Sequence, residues 1–272
     1  MTFAPAGTTL IERLGTGSVF EVGLVRDSHD RLLIVKRVAP QARGADAENA
    51  LARERDLLRV AHGAPLPELF SAGADERGSY LLETRAPGRP ARHWLEQKEA
   101  ADGVLWLALA RAASRALARL HAWKDAVGPL GIAHGDISPD NLFFSKGGRV
   151  TLIDLSSATW RTAPLPAFGG DRGTLPYAAP ELLRGESRSS QETDVYSLAA
   201  TLLALAVGPI THAANEAGRL LEAGSVGLRS DRIEERADLP PGARAALAAA
   251  LRFDAKERLC SAKELAERLS GG

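Results

Sequence analysis

Cysteine is almost absent from this 272-residue chain; there is one, Cys260. An internal disulfide framework is therefore excluded, and a reduced, cytoplasmic setting is expected. Net charge is absent as well. Lys and Arg number 34 and Asp and Glu 34, so no global field attracts nucleic acid or an acidic membrane, and neither is expected as a partner. Residues 1–10 lack the basic start and apolar run of a secretory leader, so none is expected. Repeats and low-complexity tracts are also missing. Two stretches are apolar enough to be weighed as membrane spans. Residues 104–123 carry Arg111, Arg115 and Arg119, spaced by four, which predicts one solvated stripe on a helix. Residues 195–207 carry no charge but are too short to cross a hydrocarbon core of ~30 Å. They read as a helix buried on all sides inside a large lobe.

What is there is ordinary in bulk: 45% apolar and 25% charged residues, and enough length for one large domain or two lobes around a cleft. Residues 8–14, 19–25 and 32–39 are rich in Val, Ile and Leu and read as strands separated by Gly15/Gly17 and by residues 28–30. Over 45–61 the period becomes helical. Leu51, Glu54, Leu58 and Ala61 share a face, while Arg53, Arg55 and Arg59 point elsewhere. Pro65 and Pro67 stop that helix, and 80–83 is a short strand. The Pro/Gly stretch 86–90 is the expected hinge. Beyond it helices dominate, interrupted by strands at 142–144 and 150–153; 164–173 reads as loop, 224–242 as irregular, and 243–253 and 262–269 as closing helices. The expected fold is α+β: a small strand-rich lobe with one main helix, then a larger helical lobe.

Several residues have spacing that carries chemistry. Gly15 and Gly17, between two strands, let backbone approach a phosphate, although two glycines in a hairpin are also simply a turn. Lys36 lies inside an apolar strand, and Glu54 sits on the apolar face of the next helix. A carboxylate there needs a partner, and Lys36 would satisfy it while presenting an ammonium to phosphates. The segment His134-Gly-Asp-Ile-Ser-Pro-Asp-Asn141, followed by Leu152-Ile-Asp154, is the strongest signal. Asn141 and Asp154 are hard oxygen ligands of the kind Mg²⁺ takes beside phosphate oxygens, which leaves Asp136 to orient an attacking hydroxyl.

These motifs, in this order from about residue 10 to 269, resemble the eukaryotic-type Ser/Thr protein kinase domain. Gly15-x-Gly17-x-x-Phe20-x-Val22 resembles its Gly-rich loop, Leu33-Ile-Val-Lys36 its nucleotide-lysine strand, and Glu54 its helix glutamate. His134 to Asn141 resembles the catalytic loop, and Asp154-Leu-Ser156 the metal-binding triplet. Ala179-Pro-Glu181, Asp194-Val-Tyr-Ser-Leu198 and Asp254-Ala-Lys-Glu-Arg258 resemble the later motifs, with Arg258 expected to pair with Glu181. The resemblance implies a bilobal fold filling 1–272, with lobes at about 8–85 and 91–270 and a hinge at about 83–90. It implies ATP and Mg²⁺ as cofactors, with Mn²⁺ as an alternative ion, and a protein substrate bearing Ser or Thr. Leu14, Val22, Ile34, Phe143 and Ile153 would sandwich the adenine, Glu83 to Arg85 would hydrogen-bond it, and Leu82 would be the gatekeeper. Gly173-Thr174 before Tyr177 resembles the loop that receives the substrate residue.

Four departures bear on rate. Phe20 replaces the third loop glycine and is expected over the phosphates. Gly135 replaces the arginine that in this family docks a phosphorylated activation loop. Activity is therefore expected to persist when Ser156, Ser157, Thr159 and Thr162 are all alanine. Ser138 stands where a lysine usually meets the γ-phosphate, and Ser156 where glycine is usual. Residues 124–130 are extra chain with no obvious chemistry. The rival readings are a pseudokinase or ATP-binding scaffold, and a small-molecule phosphotransferase of the aminoglycoside or choline kinase type. High Ala, Arg and Leu usage suits a GC-rich bacterial genome.

Overall fold

The computed structural model describes residues 3–16, 19–42, 44–97, 102–163, 174–210, 230–259 and 261–271. Gly17, Cys260, the 164–173 loop and the 213–223 region lie outside them. The chain divides into two units, Met1–Ala86 and Pro87–Gly272.

In the first unit β1 (Thr8–Thr16), β2 (Phe20–Asp27) and β3 (Leu32–Val38) run as an antiparallel meander. β4 (Leu69–Asp75) and β5 (Gly78–Thr84) complete a sheet of order β1-β2-β3-β5-β4. The β2–β3 turn forms because Asp27 Oδ1 accepts from His29 N and Arg31 N, each at 2.9 Å, while Asp30 takes φ +64°, which a short polar side chain tolerates. Register then sorts the two faces. Val22 stands opposite Lys36 and Leu24 opposite Ile34 on one face. Val25, Leu33, Val35 and Leu82 pack together on the other, with Phe3 from the segment before β1. A Cβ on Gly23 would collide with the Phe3 ring, so that glycine is what lets Phe3 dock. Arg37, 1% exposed, donates to Phe3 O (2.9 Å) and to both oxygens of Asp75 (2.9 and 2.5 Å). α1 (Ala45–Val60) packs on β3, β4 and β5. Asp46 and Glu48 in its first turn complement the helix dipole. Arg59 is exposed as expected, but Arg53 lies on the buried side with Leu57 and Leu58.

In the second unit β6 (Arg89–Pro90), β7 (Leu142–Phe144) and β8 (Val150–Leu152) form a small antiparallel sheet. Its helices are α2 (Ala91–Gln97), α3 (Gly103–His121), α4 (Pro180–Leu183), α5 (Gln191–Val207), α6 (Pro241–Ala250) and α7 (Ala262–Ser270). Asp102 caps α3 by accepting from Val104 N, and Ser190 with Thr193 forms a reciprocal capping box on α5. α5 is buried from Thr193 through Ala206, as its uncharged run predicts, and packs against α2, α3, α6 and α7. The arginine stripe on α3 is only partly solvated. Arg115 and Arg119 are exposed, but Arg111 is half-buried and its Nε donates to Leu269 O at 2.7 Å, because α7 lies along α3. No helix of the described residues is long and apolar enough to cross a membrane.

Candidate active site

The first unit supplies a buried ion pair. Lys36 Nζ donates to Glu54 Oε2 at 2.6 Å, with the two side chains 6% and 1% exposed. β3 aims Lys36 at the face that α1 covers, and Glu54 comes from the buried stripe of that helix. Phe20 does not project outward. It is buried, and its ring centroid lies 4.5 Å from Lys36 Nζ. Register explains this, because Phe20 pairs with Val38 and so shares a face with Val22 and Lys36.

Val22 and Ile34 are half-buried on that same face, and Glu83, buried, stands opposite Ile34. Gly15 pairs with Val22, Leu14 is 50% exposed, and Arg85 is exposed. Leu82 is buried. It pairs with Val35, so its side chain turns to the Phe3 face, and Leu81 is the residue across from Lys36. A strand alternates faces, so Leu81 and Leu82 lie on opposite sides of the sheet.

The second unit holds the remaining groups. Ile153 N donates to Asn141 O (3.0 Å), which brings Asn141 and Asp154, the expected metal ligands, alongside one another. Asn141 Nδ2 donates to Asp136 O and to Asp136 Oδ2, both at 2.9 Å. With both amide hydrogens committed, Asn141 Oδ1 is the atom left to face a cation. Thr174 Oγ1 donates to Asp136 Oδ1 at 2.7 Å. Burial pushes the Asp136 carboxyl above its ordinary value; the Thr174 bond pulls it down, and the neighbouring Asp154 charge raises it again. Asp154 takes φ +63° and its Oδ1 accepts from Ser156 Oγ at 2.8 Å. Ser156 thus steadies the aspartate, and replacing it by alanine would disturb Asp154 directly. Phe143, half-buried, pairs with Thr151 across β7 and β8, and Ile153 is half-buried beside Asp154.

The catalytic loop is anchored from beneath. Asp194 at the start of α5 accepts from His134 N (2.6 Å) and Gly135 N (2.9 Å), and its Oδ2 lies 3.0 Å from His121 Nε2. His134 Nδ1 accepts from Asp136 N (3.2 Å), so its Nε2 carries the hydrogen given to Ile153 O (3.1 Å). Gly135 takes φ +82°, and a Cβ there would collide with Ser157 O. The missing arginine therefore has a local cause: backbone occupies its place. Glu181 and Arg258 meet as expected, in two bonds of 2.6 and 2.9 Å, both residues buried.

The donor set fits a hard divalent cation, with one amide oxygen and one carboxylate in proximity. No group of three or more His, Cys, Asp or Glu among the described residues makes an all-protein cage. The family model described as Protein kinase domain matches residues 8–269. The chain belongs to the protein kinase domain family. This kinase domain is 29% identical over 209 residues to serine/threonine-protein kinase ppk6 of Schizosaccharomyces pombe, covering 71% of the chain and 25% of that protein. It is 29% identical to human serine/threonine-protein kinase 16, over 73% of the chain and 68% of that protein. With serine/threonine-protein kinase PknD of Mycobacterium tuberculosis it shares 26% identity, over 94% of the chain and 38% of that protein. The kinase domain thus spans about a quarter of the length of the yeast relative.

Sequence reasoning missed Asp194 as the anchor of the catalytic loop. The signal was present, since a carboxylate leading into an uncharged, buried helix requires buried partners. Gly17 and Gly173 lie outside the described residues.

Proposed function

We propose that this kinase domain transfers the γ-phosphoryl group of ATP to a Ser or Thr hydroxyl of a protein. The observation that carries the reading is the carboxylate of Asp136, fixed by Asn141 and Thr174 beside Asp154. Asp136 accepts the proton of the attacking hydroxyl. Its upward-shifted pKa strengthens it in that role. The hydroxyl oxygen bonds to the γ-phosphorus, the bond to the β–γ bridging oxygen breaks, and ADP departs. Lys36, held by Glu54, engages the nontransferred phosphates. Asn141 and Asp154 would hold Mg²⁺ or Mn²⁺, which would supply neutralisation of phosphate charge there. Val22, Ile34, Leu14, Phe143 and Ile153 would supply the apolar contacts to adenine, and backbone of 83–85 its hydrogen bonds. The single cysteine supports a reducing, cytoplasmic setting.

The test is incubation with radiolabelled ATP and Mg²⁺ or Mn²⁺, generic protein substrates and a panel of aminoglycosides and choline, with Asp136→Ala as control. Protein labelling that vanishes in the control is the expected result. Labelling of small molecules alone, or nucleotide binding without transfer, would sink the proposal.

A further inference from the structure

Residues 124–130 join α3 to the catalytic loop and contribute no side chain to the proposed transfer site. They nonetheless close into a hairpin. Lys124 and Pro129 form an antiparallel bridge; Asp125 N donates to Gly128 O and Leu130 N to Trp123 O, each at 3.0 Å. The Asp125 carboxylate caps the turn, accepting from Val127 N (2.8 Å) and Gly128 N (2.9 Å). It also receives Arg161 Nη2 on its two oxygens, at 2.9 and 2.7 Å. Arg161 belongs to the segment that follows Asp154.

Backbone pairing continues from that contact. Arg161 N donates to Leu130 O at 2.8 Å, and Ala133 and Thr159 exchange both of their bonds at 2.9 Å. Residues 130–133 therefore run antiparallel to 159–161. One end of this ribbon is the Asp125–Arg161 pair. The other end leads directly into His134, Gly135 and Asp136, while its second strand arrives from Asp154. Gly135 and Ser157 are in backbone contact, so no side chain at 135 reaches across to hold the segment. Trp160 is buried, and its indole N–H donates to Thr162 Oγ1 at 3.1 Å.

Asp125 and Arg161 are 32% and 37% exposed, and an exposed pair is ordinarily weak. Here the carboxylate is already oriented by two backbone N–H groups, so little freedom is lost when the arginine docks. The Arg161 hydrogen bond, then that of Val127 N, holds the Asp125 carboxyl below its usual range, so it stays ionised. Kinase activation segments that depend on phosphorylation become ordered when a phosphate gains arginine contacts. In this chain a resident carboxylate already takes the arginine.

We propose that residues 124–130 are a built-in clamp, in which Asp125 fixes Arg161 and thereby residues 155–163, so that the transfer site is assembled without a phosphate on that segment. Asp125 and Arg161 are positioning residues. The kinetic arm of the test rests on the phosphotransfer reading; the exchange arm does not.

The test compares the full chain with Asp125→Asn, Arg161→Gln, the double variant and Arg161→Lys. Hydrogen exchange over 155–163 is expected to quicken about threefold to fivefold in either neutralised variant, and no further in the double one. In turnover with Mg-ATP, kcat should fall by a similar factor while KM for ATP stays within about twofold. Arg161→Lys, which keeps the charge, should stay within about twofold of the wild type in both assays. Phosphatase treatment of the wild type should cost less than about threefold in kcat. Unchanged exchange over 155–163 in both single variants would overturn the clamp, as would a larger loss on phosphatase treatment. A wild type no more active than Asp136→Ala would instead defeat the transfer reading, and the exchange arm would still decide the clamp.

Discussion

Each unit of the molecule contains a buried ion pair of opposite purpose. In the second unit Arg258 presents a planar fork to both oxygens of Glu181, and two further N–H groups go to Arg252 O (3.0 Å) and Phe253 O (3.2 Å). Its guanidinium also lies 4.7 Å from the Tyr196 ring centroid on α5. Each of the three guanidinium nitrogens has a fixed acceptor, and the arrangement staples the Ala179-Pro-Glu segment to the stretch that follows α6. In the first unit Lys36 presents a compact ammonium on a flexible stem to Glu54, under the ring of Phe20. An ammonium is a rotatable point charge that can share itself with a ligand, whereas a guanidinium fork is committed to its geometry. The contrast teaches that burial and opposite charge do not distinguish a working pair from a scaffold; the donor count and the geometry do.

Four substitutions test that contrast. Arg258→Met should be the most damaging to folding. Breaking a buried pair from one side costs about 3–5 kcal/mol, read as a shift of the urea midpoint. Lys36→Met should act chiefly on chemistry, lowering transfer by about 10²–10³-fold, as expected when a preorganised donor to phosphate charge is lost. If Lys36→Met destabilised the protein more than Arg258→Met, the distinction would fail. Phe20→Leu keeps an apolar cover but removes the ring. It should raise KM for ATP by about threefold with kcat nearly constant, since a cation–π contact of this kind is worth about 0.5–1 kcal/mol. A lower KM would mean that the ring obstructs the nucleotide and does not support the lysine.

The smallest effect belongs to a third pair, Arg37–Asp75, whose carboxylate is 35% exposed. The Arg37 hydrogen bond holds the Asp75 carboxyl below its ordinary value. A carboxyl depressed in the folded state stabilises above its unfolded pKa, about 3.9, and loses that contribution as pH falls through the folded value. The difference in denaturant midpoint between wild type and Asp75→Asn should therefore be present at pH 6 and shrink toward pH 3. A difference that grew on acidification would contradict the assigned sign.

Much of this was legible in the sequence, for identifiable reasons. Glu54 betrayed Lys36 because a carboxylate on an apolar helix face has to be paired. The uncharged run in α5 announced its burial. β4 was not legible: Leu-Phe-Ser-Ala-Gly-Ala-Asp has little alternation, and its place is fixed by pairing with β5, including Gly73 opposite Tyr80. The face that Leu82 takes was not legible, because a shift of one residue in register reverses it. The cause of Gly135 was out of reach, since the collision involves Ser157, remote in sequence and adjacent only in the fold. The hairpin at 124–130 was hidden for the same reason, because its partner Arg161 lies beyond the catalytic loop.

Asp194 has one further consequence. It takes the backbone N–H groups of His134 and Gly135 from the first turn of a helix buried along nearly its whole length. Those two amides are expected to resist local fraying, because their acceptor is held at the start of α5. The catalytic loop is therefore expected to open together with the start of that deeply buried helix.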